Sequence, residues 1–193
     1  VDGEDVANGL VRKVTDLGVG HIPEDRIGVG IVGSASVKDN AVLRHYWTEG
    51  LSSGFTLFRQ AVVDFATRLV EVARVQTRSI STTAGQMSGG NQQRLVARRE
   101  ALLADRVLIA VHPTRGLDVL AAQEVQTAVI GQRDRGAAVL FISDDLDEVL
   151  LMSDRIAVMY EGRIMGIFDR ADADREAIGL MMGGHTLEEA MAK

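Results

Sequence analysis

A chain of 193 residues with 46% apolar side chains is long enough for one good-sized core and too apolar to remain disordered. Its net charge of -6 excludes a protein that coats nucleic acid by charge alone, and the lack of cysteine excludes disulfide frameworks and thiolate metal sites. No window approaches the ~18 consecutive apolar residues of a membrane-spanning helix, and the acidic opening VDGEDVANGL does not read as a signal peptide.

In chain order, Val6, Leu10, Val14 and Leu17 recur at spacings of three and four, which predicts a helix over 5–17. GVGHIPEDR (18–26) predicts a short strand that stops at Pro23. Residues 28–36 read as loop, and 37–78 as helical, broken by GLSSGF (50–55) into at least two helices. That stretch carries Tyr46, Trp47, Phe55, Phe58 and Phe65, which are expected to pack a helical subdomain. RSISTTAGQ (78–86) reads as a polar linker.

A different rhythm then begins. A helix is expected at 90–104, followed by RVLIAV (106–111), a continuous apolar run typical of a strand buried on both faces of a parallel sheet. After the loop HPTRGLD comes a helix at 119–135 with Ala122, Val125 and Val129 on one face, then a second buried strand, AAVLFIS (137–143). DLDEVLLM (145–152) predicts a short helix, and RIAVMYEGRIMGIF (155–168) a hairpin turning at Glu161-Gly162. The tail from 171 is expected to be helical, with Gly183-Gly184 ending its ordered part. Strand–helix–strand alternation of this kind predicts an α/β fold.

Chemistry concentrates at GQMSGGNQQRLVARRE (85–100), where Ser88-Gly89-Gly90 opens a helix. The first turn of a helix presents unpaired N–H groups with partial positive charge, so an anion is favoured there. Glycine removes the Cβ that would hold a phosphate away, and the serine hydroxyl either caps the helix or donates to a phosphate oxygen. Alone, Ser-Gly-Gly also fits an ordinary loop and cap. The four histidines, His21, His45, His112 and His185, are scattered without metal-ligand spacing.

MSGGNQQR, then AVHPTRGLD closing one buried strand and FISDDLDE closing the next, together resemble the nucleotide-binding domain of ATP-binding cassette (ABC) transporters. The forms PEDR, SGGNQQR and PTRGLDV look most like the second half of the double-length ATPases of simple-sugar and nucleoside importers. The resemblance covers roughly residues 10–184. It implies an α/β P-loop NTPase fold of ABC type over 1–193, with a helical subdomain at 40–88 and an α/β core with a C-terminal hairpin at 89–184. Met87–Arg94 would be the signature motif, 106–111 the Walker B strand, Leu117-Asp118 the D-loop, Ser143-Asp144 the switch loop, and HIPEDR (21–26) the loop that touches membrane subunits.

Several departures accompany the resemblance. The phosphate cradle G-x-x-x-x-G-K-[ST] is absent, and none of Lys13, Lys38 and Lys193 follows a glycine. The simplest expectation is a fragment or degenerate copy whose first lobe would lie ahead of Val1. Where the family has Asp-Glu at the strand end stand Val111 and His112; the switch histidine is Asp144, and the Gln-loop position is Glu24, open to pairing with Arg26 or with a partner's basic residue. His112 is expected to be a structural loop histidine rather than a base.

Motifs serving the chain's own nucleotide are altered, while the one that reaches a partner's nucleotide is intact. The resemblance therefore implies a half-site donor with no catalytic residue and no metal ligand of its own. Ser88, Gly89, Gly90 and Gln92 would contact the γ-phosphate of ATP held by a second ABC ATPase domain, Mg2+ would be held by that partner, and Asp118 would cross the dimer interface. Residues 21–40 would meet transmembrane permease subunits at the cytoplasmic face of the membrane. A docking or regulatory module with vestigial nucleotide contact is the alternative. A nucleic-acid partner, as in DNA-repair ATPases of this type, is disfavoured by the acidic charge.

Overall fold

The computed structural model describes residues 1–7 and 9–191. The chain folds as two compact units, Val1–Ile142 and Ser143–Lys193.

The first unit is built on a three-stranded parallel sheet in the order β1-β4-β5, where β1 is Val19–Ile22, β4 Val107–Val111 and β5 Ala138–Ile142. Val19 pairs with Val107 and Ile22 with Ala110; Val107 pairs with Ala138 and Val111 with Ile142. Between β1 and β4 lie α2 (Val37–Val42), a small hairpin of β2 (Ser52–Ser53) and β3 (Thr56–Leu57), α3 (Arg59–Val72) and α4 (Gly89–Ala101). The crossover from β4 to β5 is α5 (Val119–Asp134). The α/β reading holds: parallel neighbours are joined by long connections that run through helices.

Helix α4 is the spine of this unit. Leu95, Val96, Ala97 and Ala101 are buried along it, and Leu108 and Ala110 of β4 are buried beneath. Gly20 of β1 lets strand and helix approach: a Cβ there would lie 2.3 Å from the Glu100 carbonyl oxygen and 2.9 Å from the Ala104 Cβ. At the other end of the crossover, the Gln132 amide donates to the carbonyls of Ala101 and, at 2.9 Å, Ala104, meeting acceptors that the end of α4 leaves open.

Arg99 and Glu100 are only 2% and 0% exposed, and they pair at 2.9 Å. The Arg99 guanidinium also donates to the Asn40 carbonyl at 3.1 Å and the Gly30 carbonyl at 2.7 Å. Glu100 takes a second ion pair from Arg44 at 3.2 Å and a hydrogen bond from the His21 N–H at 3.3 Å. Two adjacent helix residues thus tie β1, the 26–30 segment and α2 to the spine.

Several expected elements differ. Helix α1 spans only Val11–Asp16; the expected 5–17 includes Asn8, which lies outside the described residues, and Leu10 stands exposed as the N-cap rather than on a buried face. The expected loop at 28–36 begins with a π-helical turn, Arg26–Gly30, capped by Asp25, whose carboxylate accepts from the N–H groups of Ile27 and Gly28. The break at 50–55 is a hairpin, whose two-residue strands push Phe55 out at the tip. Consequently the aromatics do not pack as a group. Phe65 joins Val42, Leu51 and Val62, but Tyr46, Phe55 and Phe58 are exposed. Trp47 donates to Asp16 at 2.8 Å, with the Arg12 guanidinium 5.4 Å from the ring centre.

On α5 the buried face is Ala121, Val125, Ala128 and Val129 rather than one that includes Ala122. Neither strand is buried on both faces as expected. Leu108 and Ala110 are covered while Val107, Ile109 and Val111 are partly so, and in β5, an edge of the sheet, Leu140 and Ile142 are exposed.

The second unit contains α6 (Leu146–Met152), a hairpin of β6 (Arg155–Tyr160) and β7 (Arg163–Asp169), α7 (Arg175–Met182) and α8 (Leu187–Met191). Glu161 and Gly162 both have positive φ, 45° and 77°, the turn that matches strand twist. Its core is Ile156, Val158, Ala177, Ile178, Met181 and Ala190. Arg175 forks onto Asp147 and holds that carboxyl below the usual range. Order does not end at Gly183-Gly184; Gly183 caps α7, and α8 follows.

Removing one member of a buried ion pair leaves the other charge uncompensated. Glu100→Ala is expected to lower unfolding free energy by about 3–5 kcal/mol, measured by urea denaturation. His45 gives a second test. Burial, partly opposed by the Arg99 carbonyl 3.3 Å from its ring nitrogen and by Glu100, and reinforced by Arg99 and Arg44, depresses its pKa from 6.5. The unfolded chain then binds the proton more readily, so this contribution is complete above pH 6.5 and is lost as pH falls below it. The urea midpoint is expected to decline in that range, and His45→Gln to flatten the decline.

Candidate functional site

Ser88 occupies the N-cap of α4 in extended conformation. Its hydroxyl oxygen accepts from the Asn91 N–H at 3.4 Å and from the Asn91 side-chain amide at 3.0 Å. Asn91 reaches back to accept from the Gln76 N–H at 2.8 Å, so the tip of the helix is fixed to the stretch of chain that follows α3. Ser88 itself remains exposed.

The two glycines let neighbouring groups come close to the mouth of the helix. A Cβ at Gly89 would lie 2.9 Å from an Arg26 guanidinium nitrogen, and one at Gly90 would meet the Ala121 Cβ at 3.3 Å and the Asp118 carboxylate at 3.6 Å. Two things follow. The α4 and α5 N-termini stand side by side, so Ser88, Gly89 and Gly90 of one motif lie near Asp118 of another. A cationic group, Arg26, lies across the tip. Two positive ends of helix dipoles and a guanidinium make this a place for a negatively charged ligand. The Asp118 carboxylate is the opposing charge, and it is engaged by the Ala121 N–H at 2.9 Å as the cap of α5.

Gln92 is placed differently from the expectation that it meets a phosphate. It is buried, and its amide donates to the Ala84 and Met87 carbonyls at 3.2 and 3.3 Å. The reason is the helical period: four residues past Ser88, the side chain returns under the preceding turn. It fixes the chain that delivers Ser88 rather than facing solvent.

The loop after β4 is held from two sides. Gln93 donates to the Pro113 carbonyl at 2.7 Å from inside, and Arg115 pairs with Glu24 at 2.5 Å outside. Glu24 therefore pairs with Arg115 rather than with Arg26, and Arg26 is left to the mouth of α4. His112 sits at the end of β4 with φ 43°, a conformation that a branchless glycine adopts freely and histidine does not. The sequence reading missed Gln93, Arg115 and the part of Arg26. Arg26 and Arg115 stood in the quoted motifs PEDR and PTRGLD, but nothing in spacing alone brings them to the α4 tip and to Glu24.

The residues fit a phosphate at the α4 tip, where the first-turn N–H groups of the helix and Arg26 converge. They do not fit a magnesium ion. Val111 offers no ligand atom, and among the described residues no group of three His, Asp or Glu side chains gathers to hold one. Asp144 belongs to the second unit, where the adjacent Ser143 hydroxyl donates to Glu148 at 2.9 Å.

No family model matches the chain. Among curated proteins it is 41% identical over 186 residues to the glucose import ATP-binding protein TsgD13 of Haloferax volcanii, covering 95% of this chain and 34% of that one. It is 38% identical over 190 residues to the guanosine import ATP-binding protein NupO of Bacillus subtilis, covering 98% and 37%. With the ribose import ATP-binding protein RbsA of Lacticaseibacillus paracasei it shares 36% over 196 residues, covering 98% and 39%. The chain thus spans somewhat over a third of the length of the curated relatives it matches. Among solved structures it superposes with TM-score 0.70 and 18% identity on a dimeric post-hydrolysis ATP-binding cassette bound to ADP and phosphate, over 88% of this chain and 72% of that one. An ATP-binding subunit of an ABC transporter gives 0.66 at 18% identity, over 100% and 73%. This chain has the fold of the ATP-binding cassette ATPases, and over nearly its whole length its homologues are ATP-binding proteins of sugar and nucleoside import.

Proposed function

We propose that the chain is part of the energising ATPase of a sugar or nucleoside importer and acts as a half-site donor. It lends the open tip of α4 to the terminal phosphate of an ATP seated on a second ABC ATPase domain. The observation that carries this reading is a contrast within one unit. The α4 tip keeps an exposed Ser88, two glycines and a guanidinium, while β4 ends in Val111 and His112 with no carboxylate to orient a metal.

In this reading Ser88 and the N–H groups of Gly89 and Gly90 bind the phosphate, and Arg26 adds charge beside them. Gln92 works indirectly, by fixing the turn at 84–87. Asp118 faces the partner across the interface, and the partner holds Mg2+. ATP supplies the binding energy that closes the pair, and its hydrolysis takes place on the partner's residues. Permease subunits meet residues 21–40 at the cytoplasmic face. No helix among the described residues is long and apolar enough to cross a membrane.

The exposed side chains of Ile27, Val29 and Val32 favour a second reading, in which docking to permease subunits is the whole function. One experiment separates the two. The chain is mixed with an ABC ATPase domain that carries an intact phosphate loop, and association is followed by sedimentation with and without ATP. The half-site reading expects ATP to promote association and Ser88→Arg to abolish the effect. ATP-independent association supports docking. Magnesium-dependent hydrolysis by the chain alone that survives His112→Ala and disappears with Ser88→Ala overturns the half-site account.

A further inference from the structure

Away from the helix tips, α3, α4 and α5 enclose a cleft of about 230 Å³ lined by Arg74, Arg94, Arg98, Glu124 and Thr127, among others. An adjoining cleft of about 590 Å³ shares Arg74, Arg94 and Glu124. In the smaller cleft three guanidinium groups meet one carboxylate, and the larger one adds Glu71, in a chain whose net charge is -6.

That carboxylate is already divided. One Glu124 oxygen pairs with Arg94, and the other lies 3.6 Å from Arg74. Arg94 further donates to the Asn91 side-chain oxygen at 3.3 Å. Nothing remains for Arg98, whose Nε is buried without an acceptor. Burial, and then the nearby charge of Arg135, lower its affinity for its proton. Arg74 itself is held at φ 51°, just past the end of α3.

A partly buried guanidinium without a counter-charge is costly, and water does not neutralise it. Glu124 leaves Arg98 as the buried charge without a partner, with Arg74 76% exposed beside it, and an anion with several acceptor oxygens meets both. Planar guanidinium forks match tetrahedral oxyanions in bidentate fashion, and the apolar walls of Ala97, Val125 and Ala128 strengthen the attraction. A cleft of about 230 Å³ has room for a phosphate ion or a phosphoryl group.

The geometry points to a phosphate-class dianion site in this cleft, with Arg98 as its principal ligand and Arg94 and Arg74 as its flanks. The occupant is free phosphate or the phosphoryl end of a small ester. It rests on different residues from the half-site reading and stands or falls separately.

Calorimetric titration of the chain with inorganic phosphate, against chloride at matched ionic strength, tests it. Saturable binding of phosphate is expected, weakened at least roughly tenfold by Arg98→Met and tightened several-fold by Glu124→Gln, which removes the competing carboxylate. Binding of glycerol phosphate as well assigns an ester; binding of phosphate alone assigns the free ion. No saturable heat beyond chloride, or equal affinity in wild type and Arg98→Met, overturns the site. Should Arg98→Met fail to fold, Glu124→Gln decides, and an unchanged affinity in it is equally fatal.

Discussion

The first unit depends on one buried charge pair. Arg99 and Glu100, adjacent on α4 and almost wholly hidden, touch β1, the 26–30 turn, α2 and Arg44. An apolar pair would fill the same space, but it would remove the partners of the Gly30 carbonyl and the His21 N–H. Because these groups are backbone atoms of segments far apart in sequence, the pair fixes where each segment stands. The segment carrying Arg26 is held in this way, and so a guanidinium comes to lie at the mouth of α4.

The architecture of the site follows from helix ends. Ser88 and Asp118 cap α4 and α5; Gly90 admits the second helix end beside the first, and Gly89 leaves room for Arg26. Neither end would favour an anion strongly alone, since the dipole effect at exposed positions is worth about 0.3–1 kcal/mol. Set together with Arg26 they form one electropositive mouth. The same spine carries Arg94 and Arg98 further along, so α4 organises charge at its tip and along its flank.

Much of this was legible in the sequence. Apolar runs at 106–111 and 137–143 marked β4 and β5, and Ser-Gly-Gly and Leu-Asp marked two helix starts, because capping and strand formation are local. What was not legible is what tertiary packing decides. The hairpin at 52–57 is too short to show alternation, so Phe55 looked like core and stands in water. Gln92 looked like a ligand because it lies in the motif, yet the helical turn carries its amide inward. Glu24 and Arg115 are 91 residues apart, and no spacing rule joins them.

That Glu24–Arg115 contact is more than half exposed on the arginine side and half exposed on the other. An ion pair so wetted is worth at most about 1 kcal/mol and weakens within the ~8 Å screening length of physiological salt. It is a weak clasp between the segment after β1 and the segment after β4. Gln93 grips the Pro113 carbonyl from the dry side. The segment after β4 is therefore held at Pro113 by a bond that water does not reach, and at Arg115 by one that salt weakens.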